Sequence, residues 1–419
     1  MPFNRANSCV VAIGLLVLFA ASAACGQELQ GFQLFAPADL STFGGDIQAN
    51  EGYFFQFDGL FWSISAPRTT PIGAPGLTRL VYYGPQANTV PTPPPNSILP
   101  PVQSQDQRLE SDTLDTGDIK SAFSPGTRFE FGNIEDRNGW FCSILRVQPL
   151  EQDFTYQSAD VVFKDPPQGP LGQGLLTGPV PGPGGTTVQR PLPVTLYNIT
   201  MSNTVDNWGV ELMYLHRLRT SHCGGTFEFF AGARYMEFND GFNFQAGDDP
   251  GGHTVPSFLA NSFWFTSAEN HLVGPEVGLR WSKKEGRWMF STEARFMAAL
   301  NMQTFHQDVN LGPNLNPGGN SGSALYTPAT LEPASASNNA NLNEFSPLVE
   351  LRLEGRYQIT SMISFHAGWT GFWMDNIARA NGVIDYNIQN PVMGFDFSSG
   401  NNKQNVLVNG VTIGFDINR

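Results

Sequence analysis

Six glutamates and six arginines recur in the second half of the chain: Glu211 and Arg217, Glu228 and Arg234, Glu276 and Arg280, Glu293 and Arg295, then Glu350, Arg352, Glu354 and Arg356. Within each group the spacing is an even number of residues, which puts the charges on one face of an extended strand. Carboxylates and guanidiniums gathered on one surface can do two things. Around an aqueous passage they form an eyelet whose transverse field selects solutes. Turned on one another they pair and fill space. Other chemistry has less support. The six histidines (His216, His222, His253, His271, His306, His366) show no close metal-ligand spacing, and no GxSxG or comparable cluster assembles a serine nucleophile. No catalytic residue, metal or cofactor is expected.

The elements that must carry these charges alternate strictly. In 348–359, Val349, Leu351, Leu353, Tyr357 and Ile359 oppose Glu350, Arg352, Glu354 and Arg356. A helix would spread those charges around its circumference; a strand collects them on one side. The pattern returns with Val273, Val277, Leu279 and Trp281 against Glu276 and Arg280, and with Phe290, Ala294 and Phe296 against Glu293 and Arg295. It appears again with Phe227, Phe229 and Tyr235 against Glu228 and Arg234, and with Val210, Leu212 and Tyr214 against Glu211 and Arg217. Tyr53, Phe55, Phe57 and Phe61 oppose Gln56 and Asp58; Phe365, Trp369 and Trp373 oppose Ser364 and His366; Leu407, Val411, Ile413, Phe415 and Ile417 oppose Thr412 and Asp416.

Short turns are expected at 135–139, 220–225, 283–287 and 360–362, and long connections rich in Gly, Pro, Asn and Ser at roughly 65–126, 148–207, 240–268, 301–344 and 376–404. Every second connection is short. This predicts an all-β fold: a single antiparallel transmembrane β-barrel of 10–12 strands, with short periplasmic turns and long external loops. Ten strands are firm in the pattern; segments 157–164 and 192–204 would raise the count to twelve. In lipid no backbone N–H can stay unpaired, so the sheet must close. A soluble sandwich would instead bury the apolar face. Against it stand strands of 11–14 residues, glycines on the charged face (Gly232, Gly274, Gly278, Gly368, Gly414), and Trp281 and Trp288 flanking the 283–287 turn as an interfacial girdle would. About eight strands leave a lumen just filled by side chains, whereas open channels need nearer sixteen, so at 10–12 strands a salt-bridge network is favoured over an open eyelet.

Composition points the same way. Charged residues are 14% of the 419, and Lys+Arg 23 against Asp+Glu 37 leave a net charge of −14, which argues against binding a nucleic-acid backbone. Residues 1–26 read as a signal peptide: Arg5, an apolar run over 10–24, then small residues before a cut ahead of Gln27. A lipoprotein-type cut before Cys25 is the rival reading. The segment 27–52 is an N-terminal lead, and 53–419 is the barrel domain. Asp106, Glu110, Asp112, Asp115 and Asp118 form an acidic loop stretch. The runs 91–101 and 166–193 are Pro-rich and read as polyproline-like loops. Cys142 and Cys223 both fall near the short-turn rim and form a candidate disulfide in an oxidising compartment.

The stretch Asn270-His-Leu-Val-Gly-Pro-Glu-Val-Gly-Leu279, followed by a strand, a short basic turn and Gly286-Arg287-Trp288, resembles the planctomycete putative beta-barrel porin family. The aromatic strand YFFQFDGLFW and the last strand NVLVNGVTIGFDI fit the same pattern. The resemblance implies an outer-membrane, porin-like protein and carries over no catalytic residues. The chain departs from the usual barrel ending in an aromatic residue, since Phe415 is its last aromatic and Arg419 its end. The expected function is passive passage of small polar solutes. The alternative is a non-conducting barrel that displays its loops for envelope integrity or adhesion. The expected partners are outer-membrane lipid and the barrel assembly machinery, with small polar solutes as cargo and no nucleic acid. The disulfide is read by mass after alkylation without reductant: a bonded Cys142–Cys223 pair takes no label, and two labelled thiols would end the pairing.

Overall fold

A computed structural model of the chain describes residues 52–73, 79–83, 106–110, 114–161, 177–181, 187–191, 194–218, 225–247, 260–311, 335–360, 362–386 and 394–418. The expected signal peptide, nearly all of the N-terminal lead, Cys223 and the Pro-rich run 91–101 lie outside these residues. Ten strands make the barrel: β1 (Gly52–Ile64), β2 (Ala122–Glu135), β3 (Asn138–Val161), β4 (Val194–Arg217), β5 (Gly225–Ala246), β6 (Phe263–Glu285), β7 (Trp288–Asn310), β8 (Ser335–Gln358), β9 (Ile363–Ile377) and β10 (Gln404–Asn418). Each pairs antiparallel with its chain neighbours, and β1 closes the sheet against β10. No helix among the described residues is long and apolar enough to cross a membrane.

The segments 157–164 and 192–204 are not extra strands. They are the far ends of β3 and β4, which run 24 residues each and pair from Asn138↔His216 to Val161↔Val194. Strands β5 to β8 are likewise 22 to 24 residues long, where alternation had marked 11–14. Much of the expected loop at 148–207, and parts of those at 240–268 and 301–344, is therefore sheet. Within the Pro-rich run 166–193, Thr177–Pro181 pairs with Thr187–Pro191 as a hairpin, and the acidic Asp106–Glu110 pairs with Arg79–Tyr83.

The long strands change character half-way. On β6 the outward side chains from Val273 to Trp281 are Val273, Pro275, Val277, Leu279 and Trp281; beyond them come His271, Glu269 and Ser267. Nine residues of apolar outer wall match the roughly 9–11 that a tilted strand needs to cross hydrocarbon. The inward side chains run the other way: Arg280 and Glu276 in the apolar-belted half, then Leu272, Ala268 and Trp264. The change falls on one register row, Trp208–Glu237–His271–Met302–Asn343, across β4 to β8. Below it the barrel is apolar outside and charged inside. Above it the outer wall turns largely polar, and the inner wall combines apolar side chains with buried polar ones such as Asn203, Asp240, Asn270, Asn301 and Gln303. Tyr53, Trp140 and Tyr214 stand exposed near the short-turn rim, with Trp281, Trp288 and Tyr357 half-buried beside them. These rings edge the apolar belt as interfacial aromatics do.

The closing seam depends on one glycine. Arg356, His366, Gly414, Asp58 and Arg128 lie in a single register row across β8, β9, β10, β1 and β2. The His366 ring reaches over Gly414 so that its Nε2 meets Asp58 Oδ1 at 2.7 Å. A Cβ on Gly414 would collide with both the Asp58 carboxylate and the His366 imidazole. Gly414→Ala is expected to cost about 1–3 kcal/mol through overpacking. That should appear as a lower temperature of the boiling-induced shift in gel migration, while Ala294→Val on the outer wall leaves it unchanged.

Candidate functional site

All twelve charges expected to line the lumen point inward and are largely withdrawn from solvent. Ten of them form one ion-paired network at the level of the apolar belt, and Arg356 and Glu354 pair in a second group beside it. Arg234 of β5 sits at the centre of the larger network: Nε donates to Glu211 at 2.8 Å and lies 3.1 Å from Glu276, while Nη2 donates to Glu350 at 2.7 Å. Arg295 pairs with Glu211 at 2.5 Å and with Glu293. Arg280 bridges Glu293 at 2.5 Å and Glu228 at 3.2 Å, and Arg217 takes Glu228 at 2.9 Å. Arg352 pairs with Glu350, and Arg356 with Glu354 at 2.9 Å and Asp416 at 3.1 Å. Glycines on the inner wall make room for these long side chains; a Cβ on Gly278 would stand 2.9 Å from Arg295 Cγ.

The pairing alternates because the register alternates. Arg280 stands directly between Glu228 and Glu293, and Glu293 stands between Arg280 and Arg352. Opposite charges side by side across strands attract, and here they do so out of water, where the attraction is stronger. The guanidinium faces are used too. Arg295 lies over Phe141 and Phe230, Arg280 over Phe230, and Arg234 over Phe372.

Five further charged or titratable residues join them: Glu130, near Arg352 in the larger network, and Asp58, Arg128, His366 and Asp416 in the Arg356 group. Arg128 pairs with Asp58 at 2.6 Å, and His366 bridges Asp58 and Asp416, with Nδ1 3.0 Å from the latter. An imidazole donates to two carboxylates only when both nitrogens carry protons. The signal for Arg128 and Glu130 was present, since Phe129 and Phe131 alternate with them in β2 as in the other strands. Asp58, His366 and Asp416 lie on the inward parity of β1, β9 and β10, where each acid or imidazole is the lone titratable group in its stretch.

Among the described residues, one group of three carboxylates lies close enough to share a metal ion: Glu211, Glu276 and Glu350, all buried. The Arg234 guanidinium already contacts all three. The cation held there belongs to the chain itself. Cys142 is a free, half-buried thiol on the outward side of β3, level with Leu212 and Phe131; its expected partner Cys223 lies outside the described residues.

Buried apolar clusters lie beside and above the network. On the β1–β5 side of the short-turn end, Phe54, Ile134, Phe141, Met213, Leu215 and Phe230 pack together. Above the charges lies an apolar layer that includes Leu60, Trp62, Phe238, Leu272, Leu348 and Phe372, with Trp62 and Phe372 rings 5.1 Å apart. Above that the β9–β10 connection turns inward. Its backbone is held by side chains of the wall: Asn270 accepts from Ala378 N at 2.8 Å and donates to Ala378 O at 2.9 Å, and Asp240 accepts from Ala380 N at 2.9 Å and from Arg379 Nε at 2.5 Å. Asn381 donates to Arg68 O at 2.9 Å. A second apolar cluster, with Trp264, Phe305, Val383 and Tyr386, covers this segment, and burial pushes the Tyr386 phenol above its ordinary range. The expected loop 376–404 is thus partly a plug, which its Asn- and Gly-rich composition did not reveal.

Residues 195–418 match the Putative beta barrel porin-7 (BBP7) family. The chain belongs to that family. No curated protein is significantly similar to it. Among solved structures, the outer membrane protease OmpT from Escherichia coli is 8% identical, covers 90% of this chain and 99% of its own, and has a TM-score of 0.39. A Pseudomonas aeruginosa FadL homologue is 10% identical, with 90% and 95% covered and a TM-score of 0.31. The Pseudomonas putida toluene transporter TodX is 8% identical, with 91% and 92% covered and a TM-score of 0.15.

Removing one partner of a buried ion pair costs about 3–5 kcal/mol, because the other charge is left behind. Arg234→Met leaves Glu276 without an ion-pair partner among the described residues and takes one of their cations from Glu211 and Glu350, which keep Arg295 and Arg352. It should abolish the compact, heat-modifiable band on gels, and adding Glu276→Gln to the same chain should restore it. A stable single variant would mean that the network does not hold the lumen.

Proposed function

We propose that this porin-family barrel resides in an outer membrane and serves there as a filled, non-conducting scaffold that holds its long-strand end outside. The apolar outer wall from Val273 to Trp281 and the aromatic rings near the rim support the location, with lipid as the partner of that wall. Assembly by the barrel assembly machinery fits a chain whose last strand, β10, closes the sheet. One observation carries the non-conducting reading. Buried side chains occupy the lumen at successive levels, first the Arg234 network, then the Trp62–Phe372 layer, then the inward segment held by Asp240 and Asn270. The reading needs no catalysis and no cofactor.

Passive passage of small polar solutes is the second reading. Family membership favours it, and it requires the inward segment to be a gate. Planar-bilayer recordings separate the two. The purified, heat-modifiable barrel should be silent, and a chain carrying Arg379→Ala with Asp240→Ala should be silent as well, because two filled layers remain beneath the loop. Steady, salt-proportional current from the native chain would overturn the scaffold. Current from the double variant alone would make the segment a gate and favour passage.

A further inference from the structure

At the short-turn end, on the β5–β8 side, the lumen is not filled. A pocket of about 200 Å³ opens there, walled by β5, β6, β7 and β8 with contributions from β1 and β4. Each water in a cavity takes about 30 Å³, so there is room for several waters or for a small solute with part of its shell. The layers above close it from within, so that whatever enters binds or leaves by the same mouth.

The lining has a sign. Arg217, Arg280, Lys284, Arg352 and Arg356 face three glutamates. Glu228 serves Arg217 and Arg280, and Glu293 serves Arg280, Arg295 and Arg352, while Glu350 and Asp416 behind the lining also pair with Arg352 and Arg356. Lys284 stands exposed on the inner wall nearest the mouth and has no ion-pair partner among the described residues. Between the lysine and the arginine layer runs a row of hydroxyls, Thr226–Ser282–Ser291, adjacent in register on β5, β6 and β7 and ending on Glu354 of β8, which is paired with Arg356. Cations above and below a band of hydroxyl donors, in a recess with low-dielectric walls, concentrate the positive field there. The chain's net charge of −14 does not cancel it, since charges more than about 8 Å away through salt solution are largely screened.

We propose that this pocket is a binding site for a tetrahedral oxyanion of the phosphate class. Ammonium and guanidinium groups supply the charge, and the hydroxyl row supplies donors to oxygens that a planar carboxylate would leave unmet. The site is independent of whether the barrel conducts.

The test is calorimetric titration of the purified full-length barrel, in detergent at about 0.15 M ionic strength, with inorganic phosphate. One saturable site is expected, weakening as sodium chloride is added. Lys284→Glu and Ser282→Asp, each placing a carboxylate in the pocket, should reduce the affinity at least tenfold while the barrel stays heat-modifiable. Absence of saturable binding would overturn the proposal, as would an affinity unchanged in both variants. Acetate binding as tightly as phosphate would overturn the phosphate assignment.

Discussion

A buried charge must be answered within the same barrel. That constraint organises the half of the molecule ringed by apolar side chains. A sheet closed in hydrocarbon has no second layer to pack against, so its interior is its only core. Here that interior is built from long polar side chains, and their charges are divided: Glu211 is met by Arg234 and Arg295, and Glu293 by Arg280 and Arg295. No single pair can be removed cleanly, because each member is the partner of at least one other. The ion pairs also tie distant strands. Arg234 on β5 reaches Glu350 on β8, and His366 on β9 reaches Asp58 on β1 across β10. Strand pairing alone links neighbours; these contacts fix the cross-section of the barrel.

The long strands solve a second problem with the same backbone. A strand leaving hydrocarbon for water must exchange the chemistry of its two faces. On β6 the exchange takes place between Val273 and His271 on the outside and between Glu276 and Leu272 on the inside. The upper half then needs apolar material to cover its inner wall, and the connections supply it: Ile72, Ile119, Val383, Ile384 and Tyr386 come from segments between strands. The inward segment is therefore as much the core of the upper half as it is an obstruction of the lower.

This explains what could be read in the sequence. The lower halves were legible because their two faces differ so sharply: a row of Glu and Arg against a row of Phe, Val and Leu leaves one interpretation. The upper halves were not. In β4 the outward residues become Thr200, Ser202, Thr204 and Asp206, and the inward ones Ile199, Met201, Asn203 and Val205. Alternation persists there, but weakly and next to Pro- and Gly-rich stretches, so strand ends at 157–161 and 194–204 resembled separate elements. The charged residues followed the same division. Those in rows of several charges were recognised, whereas Asp58, His366 and Asp416, one to a strand, became partners only when closure brought β1, β9 and β10 together.

The plug lay beyond the reach of periodicity for a different reason. Ala378, Arg379, Ala380 and Asn381 have no pattern of their own; their position is dictated by Asn270 and Asp240, more than a hundred residues away. Those two side chains bind backbone N–H groups as a neighbouring strand would, so a segment with no sheet partner still satisfies its polar groups inside the barrel. Swinging it outward would leave Asp240 and Asn270 facing an apolar layer without partners, at a cost of about 1–3 kcal/mol for each unsatisfied group. It would also uncover Trp264, Phe305 and Leu311 to water. A gate needs two states of similar free energy. Here one state pairs the buried polar groups and covers the aromatic rings, and the other does neither, so the inward position of the segment is the one that buried polar and apolar groups both favour.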